Sequence, residues 1–124
     1  MKQQTKLRII NNDTGICLAE AAILANTFGR RLQGLLGKRK LEKGREGLIL
    51  SPCCAVHTFG MLFSLDLLFL SEKGEVLQAL PSVRPWRFSP CVRGAHSVVE
   101  LPAGTITATR TKKTHRLVFS ELSA

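Results

Sequence analysis

The stretch LDLLFLSEKGEVLQAL, residues 65–80, constrains the fold most. Two apolar segments flank a polar turn at Ser71–Gly74, and the pattern predicts a β-hairpin. Asp66 is set inside the first strand, on the same face as Ser64, Leu68 and Leu70. A lone carboxylate in apolar surroundings is costly, so Asp66 needs a partner. The candidates are an arginine (Arg30, Arg31, Arg84 or Arg87) or backbone N–H groups.

The rest of the chain adds mostly short strands. KLRIIN and CLAEAAILA are two strands joined by a turn whose chemistry comes from Asn12, Asp13 and Gly15. A helix is predicted at about residues 27–36, capped by Asn26 or Thr27, with Phe28, Leu32 and Leu35 or Leu36 on one face. Gly34 weakens it and Gly37 is its stop. KLEKGREG is a polar loop, and LILS is a strand ended by Pro52. HSVVEL and HRLVFSE are strands, PAG is a turn, and TITATRTKKT fits either a strand or a helical turn. PSVRPWRFSPCVRGA holds too many prolines for a regular element, and a connection this long tends to be functional or mobile. The sum is a mainly β, α+β protein: a small curved antiparallel sheet or open barrel covered by one helix.

With 124 residues and neither repeat nor linker, residues 1–124 are expected to form a single domain able to bury a core without disulfide staples. The 44% hydrophobic content excludes disorder. No apolar run approaches the ~18–20 residues of a membrane span, and the N-terminus lacks the apolar stretch of a secretory signal. The expected location is therefore the cytoplasm, where Cys17, Cys53, Cys54 and Cys91 would stay reduced. No C-x-x-C pair is present. The net charge of +9 is densest at Lys38, Arg39, Lys40, Lys43 and Arg45. Such a surface attracts nucleic acid, an anionic membrane or an acidic partner. Few aromatics interleave with that run, so base stacking is not indicated there.

Taken in order, the arginine and GLLG of the predicted helix, GLIL followed by PC, VHTFGM, Asp66, the Gly74-x-Val76 hairpin and ELPAG resemble the family called domain of unknown function 192. The similarity covers about residues 18–119. It implies a small β-rich α+β domain and no established activity. Some relatives are associated with secretion or pilus assembly, and others carry an export signal. The family often has Gly-Asp before the last strand, where this chain has Thr114 and His115.

Several residues qualify as a site. If VHTFGM is extended, His57, Phe59 and Met61 share one face. They can line a pocket for an organic or peptide ligand, or His57 and Met61 can join Cys53 or Cys54 around a soft metal. They can equally be core residues. The spacings among Cys53, Cys54, His57, Cys91 and His96 match no standard zinc site, and no cofactor is expected. On a straight strand His57 and Asp66 lie on opposite faces, so an acid–base pair requires a bend, for which Gly60 is the candidate. A thiol nucleophile would be Cys53 or Cys54 with His57 as base. Arg30 and Arg31 open the predicted helix, where cations are unfavourable, and one of them is expected to pair with Asp66. Trp86, between Arg84 and Arg87, is either an anchor for a partner or a lid over the sheet. The favoured reading is a non-enzymatic binding or accessory module. Its site lies where VHTFGM meets RPWRF, around His57, Phe59, Met61, Asp66 and Trp86. The partner is an acidic protein surface or a small anionic ligand. The rivals are a small enzyme using His57 with Asp66 or a cysteine, and a nucleic-acid module using the 38–45 run.

Overall fold

The computed structural model describes residues 5–25 and 41–122. Seven strands form one sheet: β1 (Lys6–Asn11), β2 (Cys17–Ala25), β3 (Leu48–Leu50), β4 (Leu65–Leu70), β5 (Val76–Val83), β6 (Ser97–Pro102) and β7 (Leu117–Glu121). A short helix, α1 (Thr105–Thr109), follows β6. The strand order is β5-β4-β6-β3-β2-β1-β7, and only the β2–β3 pairing is parallel. The protein is thus mainly β, with a curled sheet forming a half-barrel. The helix expected over 27–36 lies outside the described residues, as do Arg30 and Arg31.

The two edge strands meet at one end. Glu75 bridges Arg116, the Val76 N–H donates to the His115 carbonyl (2.8 Å), and the Leu117 N–H donates to the Gly74 carbonyl (2.9 Å). Gly74 makes this possible. It has φ +87°, and a Cβ there would stand 2.5 Å from the Leu117 carbonyl oxygen.

All six residues of β4 are buried, because both faces of the sheet are covered there. Leu68 and Leu70 join Ile9, Leu18, Ile49, Val99 and Leu101 inside the curl. Leu65, Leu67 and Phe69 pack on the other face with Leu48, Leu50, Val98 and Met61. That second face is covered by side chains from two irregular segments, among them Val56 and Phe63 from one and Val92 and Ala95 from the other. Burial on two faces is what a near-continuous apolar strand requires. β5 is an edge strand, which is why it tolerates Pro81.

Asp66 is fully buried and ties the far end of the sheet together. Oδ1 accepts the Ser82 N–H (2.8 Å) and Oδ2 accepts the Ile106 N–H in the first turn of α1 (2.8 Å). Its partners are backbone N–H groups, one of the two alternatives raised by the sequence. Ser82 sits at φ 51°, a conformation that the carboxylate bond helps to hold. For residues 105–114 the helical alternative is realised in α1, closed by Arg110 in the left-handed region.

Asn11 closes the turn between β1 and β2 from a fully buried position. Its Oδ1 accepts the N–H groups of Asp13 (2.9 Å) and Thr14 (3.1 Å). Its Nδ2 donates to Thr111 Oγ1 and to His115 Nδ1, both at 3.1 Å. The chain continues from the Thr111 hydroxyl to the Thr109 hydroxyl (2.7 Å) and on to the Thr105 carbonyl (2.8 Å). Buried polar groups are tolerated when satisfied in this way.

Candidate functional site: a stapled aromatic ribbon

Residues 51–64 and 84–96 run beside each other as a ribbon laid on the outer face of β4 and β6. Neither segment is a regular strand, yet they are densely cross-linked. His57 bridges Phe88 in antiparallel fashion. The Ser89 N–H donates to the Val56 carbonyl (2.8 Å), and the Ser89 hydroxyl accepts the Val56 N–H (2.9 Å). The Val92 N–H donates to the Cys54 carbonyl (3.0 Å). Cys54 and Cys91 form a disulfide. This corrects the expectation of four free thiols. The ribbon brings residues 37 apart in sequence to a Cα separation of 4.9 Å, a proximity that no local spacing signals.

Thr58 is the pin of the ribbon and is 1% exposed. Its N–H donates to the Arg87 carbonyl (2.8 Å), and its carbonyl accepts the Trp86 N–H (3.0 Å). Its hydroxyl donates to the Arg84 carbonyl (2.7 Å) and accepts the Arg87 N–H (2.9 Å). These bonds hold Trp86 at φ 63°, an outlying backbone conformation for a bulky aromatic.

The outer surface of the ribbon is aromatic. Phe59 is central: its ring centroid lies 5.2 Å from His57, 5.5 Å from Trp86 and 4.6 Å from Phe88. Trp86 is 64% exposed and Phe88 74%. Leu62, three residues beyond Phe59, is 60% exposed. His57 is also exposed, and its Nδ1 accepts the Phe59 N–H (3.2 Å). The ring proton is therefore assigned to Nε2, where it can donate outward.

Of the residues singled out in the sequence, His57, Phe59 and Trp86 come together at this face. Met61 and Asp66 do not. VHTFGM is not one extended strand: Gly60 turns at φ 80°, the Met61 N–H folds back to the Thr58 carbonyl (3.2 Å), and Met61 enters the core at 8% exposure. Asp66 is fully buried, with both oxygens on backbone N–H groups. Thr58 and Phe88 were missed. Phe88 was legible as an aromatic two residues from Trp86, whereas nothing local marks a single threonine as a loop anchor.

The chemistry open to enzyme or metal readings is narrow. His57 spends Nδ1 on Phe59, and Asp66 faces Ser82 and Ile106, so they form no dyad. Cys54 is bonded to Cys91, and the Cys53 thiol donates to the Ala55 carbonyl (3.0 Å). The set Cys53, Cys54 and His57 is therefore not assembled as a ligand group. Among the described residues, no three His, Cys, Asp or Glu side chains gather as a metal site. Burial pushes the Cys17 thiol up, with the Glu20 carboxylate adding to the effect, so Cys17 stays protonated rather than nucleophilic. A groove of about 630 Å³ opens at the end of the curl where Lys73, His96 and Arg116 lie; it reaches the ribbon only at Ser51 and His96, and none of the ribbon aromatics lines it.

Charge follows the same outline as the aromatics. Residues 51–64 and 76–99 contain no Asp or Glu, while Arg84, Arg87 and Arg93 all lie in the second segment and are exposed. Among the described residues, the ion pairs are Arg8–Glu20 and Arg45–Glu42, both remote from the ribbon in sequence.

A model of an uncharacterised family, domain of unknown function 192, described as an uncharacterized ACR, matches residues 9–119. The chain belongs to the domain of unknown function 192 family. The match takes in the whole ribbon and every strand except the first residues of β1 and the last of β7. No curated protein matches the chain. Two solved structures share the fold of this family member. One is described as a "putative transcription regulator" from Sinorhizobium meliloti 1021, with TM-score 0.76, 21% identity and coverage of 94% of each chain. The other is a protein of unknown function from Novosphingobium aromaticivorans DSM 12444, with TM-score 0.77 and 17% identity, covering 94% of this chain and 85% of that one. At these identities the likeness is one of fold alone. Thr114 and His115 stand where the sequence resemblance implies Gly-Asp. Thr114 sits at φ 79°, where glycine is favoured, and His115 Nδ1 accepts the Lys112 N–H (3.2 Å), a bond an aspartate also makes.

Proposed function

We propose that this family member is a single-domain, non-enzymatic binding module that docks an anionic partner on the outer face of the ribbon. The observation that carries this reading is the exposure of Trp86 and Phe88 on a rigidly cross-linked support whose only formal charges are arginines. Large apolar side chains held exposed by a disulfide and a buried threonine incur a solvation cost that a partner removes. The absence of carboxylates from both segments selects against a cationic partner. Under this reading His57, Phe59, Trp86 and Phe88 make the contact, with Arg84, Arg87 and Arg93 around them. Met61 supports it from beneath, and Asp66 belongs to the frame of the sheet.

The Cys54–Cys91 bond weighs against the cytoplasmic setting expected from the sequence, because cytosolic thiols are kept reduced. We infer an oxidising compartment. Among the described residues, no helix is long and apolar enough to cross a membrane.

Retention on immobilised heparin tests the reading. Replacing Arg84, Arg87 and Arg93 by alanine should lower the eluting salt concentration more than replacing Lys73, Lys112 and Lys113, which removes the same charge from exposed positions away from the ribbon. Equal shifts for the two variants would count against the ribbon as the docking face.

A further inference from the structure

Resting on that reading, we infer that the partner is an anionic phospholipid bilayer and that the ribbon is a peripheral membrane-docking surface. Three observations select a bilayer over other anions. The first is shape. The exposed side chains project from the surface of a ribbon, Trp86 at 64% and Phe88 at 74% exposure. A peptide or small ligand is held in a concavity, whereas a bilayer interface accepts a protruding face.

The second observation is chemistry. Leu62, Trp86 and Phe88 are, among the described residues, three of the five exposed large hydrophobics, at 60%, 64% and 74% exposure. An indole, a phenyl ring and an aliphatic side chain together suit the boundary between headgroups and acyl chains. A nucleic-acid platform has use for the rings and none for Leu62. His57 is exposed and, with Nδ1 accepting the Phe59 N–H, keeps an Nε2–H donor of a kind suited to phosphate.

The third observation is charge complementarity. Arg84 and Arg87 bracket Trp86 in sequence, Arg93 lies in the same exposed segment, no acidic residue lies in either ribbon segment, and the whole chain carries +9. Anionic headgroups attract basic residues at their surface. Three arginines account for about a hundredfold preference for anionic over neutral vesicles, at about 1 kcal/mol each. The disulfide cross-links the two segments that carry the apolar tips.

Trp86 is the only tryptophan and there is no tyrosine, so intrinsic emission reports on this surface alone. The full chain, with its disulfide intact, is titrated with vesicles of phosphatidylcholine and with vesicles of equal phosphatidylcholine and phosphatidylglycerol. Parallel titrations use oligothymidylate and polyglutamate, and vesicle flotation checks binding independently. The expected result is a blue shift of Trp86 and co-flotation with the anionic vesicles only. Arg84→Gln/Arg87→Gln/Arg93→Gln should weaken partitioning about a hundredfold, and Leu62→Ser/Phe88→Ser by tenfold or more. All five positions are exposed, so both variants should fold. A response to oligothymidylate or polyglutamate without one to anionic vesicles overturns the bilayer and leaves the docking face standing. Silence in every titration overturns both.

Discussion

Thr58 and Arg87 are joined by two hydrogen bonds running in opposite directions. The Thr58 N–H reaches the Arg87 carbonyl at 2.8 Å, and the Arg87 N–H reaches the Thr58 hydroxyl at 2.9 Å. One buried side chain thereby fixes the backbone on which the exposed indole is mounted. Thr58→Val keeps the shape but leaves the Arg87 N–H and the Arg84 carbonyl without the hydroxyl. The expected loss is about 2–4 kcal/mol of unfolding free energy, read from urea denaturation. Thr58→Ser keeps the hydroxyl and should cost about 1 kcal/mol for the lost methyl. Equal losses for the two variants would show that the hydroxyl is not the anchor.

The Cys54–Cys91 bond closes a loop of 37 residues. Cross-linking a loop of that size restricts the unfolded chain by about 3–4 kcal/mol. Cys54→Ser/Cys91→Ser should lower the urea midpoint accordingly. It should also weaken heparin retention, because the ribbon positions the arginines. Loss of stability with retention unchanged would separate the staple from the docking face.

Asp66 tests whether a buried carboxylate belongs to the site or to the frame. Asp66→Asn retains one carbonyl oxygen and turns an amide NH2 toward either Ser82 or Ile106, both of which are donors. A loss of about 2–4 kcal/mol is expected, since a charged acceptor is removed from two buried bonds. Heparin elution of the folded variant should match the wild type. Lost binding with intact stability would return Asp66 to the site.

Both hairpins, the β6 and β7 strands and the need of Asp66 for a partner are legible in the sequence, because each rests on local periodicity or on the cost of burying a charge. The meeting of VHTFGM with RPWRF was also indicated, through the proline-rich connection between strands. Other features were not legible because they depend on contacts distant in sequence. Met61 fits the alternation of an extended strand until the turn at Gly60 carries it into the core. Asn11 reads as the end of a strand, and only its bonds to Thr111 and His115 reveal it as the hub of a buried network. The Cys54–Cys91 pairing follows from the path of the ribbon and from no spacing rule.

Thr114 carries a local conflict that a substitution can relieve. A β-branched residue at φ 79° costs about 1–2 kcal/mol. Thr114→Gly recovers part of this, offset by the greater freedom of glycine in the unfolded chain. The expected result is a stabilisation of about 0.5–1 kcal/mol in urea denaturation. His115→Asp in the same background should preserve the bond from the Lys112 N–H. A destabilised Thr114→Gly protein would mean that the threonine side chain contributes more than its backbone conformation costs.

The outer face of the ribbon is the surface proposed to meet the partner. Acrylamide quenching of Trp86, with and without saturating heparin, tests it most directly, since retention reports binding and quenching reports location. The expected result is an indole readily quenched in the free protein, shielded when heparin is bound, and no longer shielded in the Arg84, Arg87 and Arg93 variant at the same concentration. Heparin that binds while leaving Trp86 as accessible as before would contradict it.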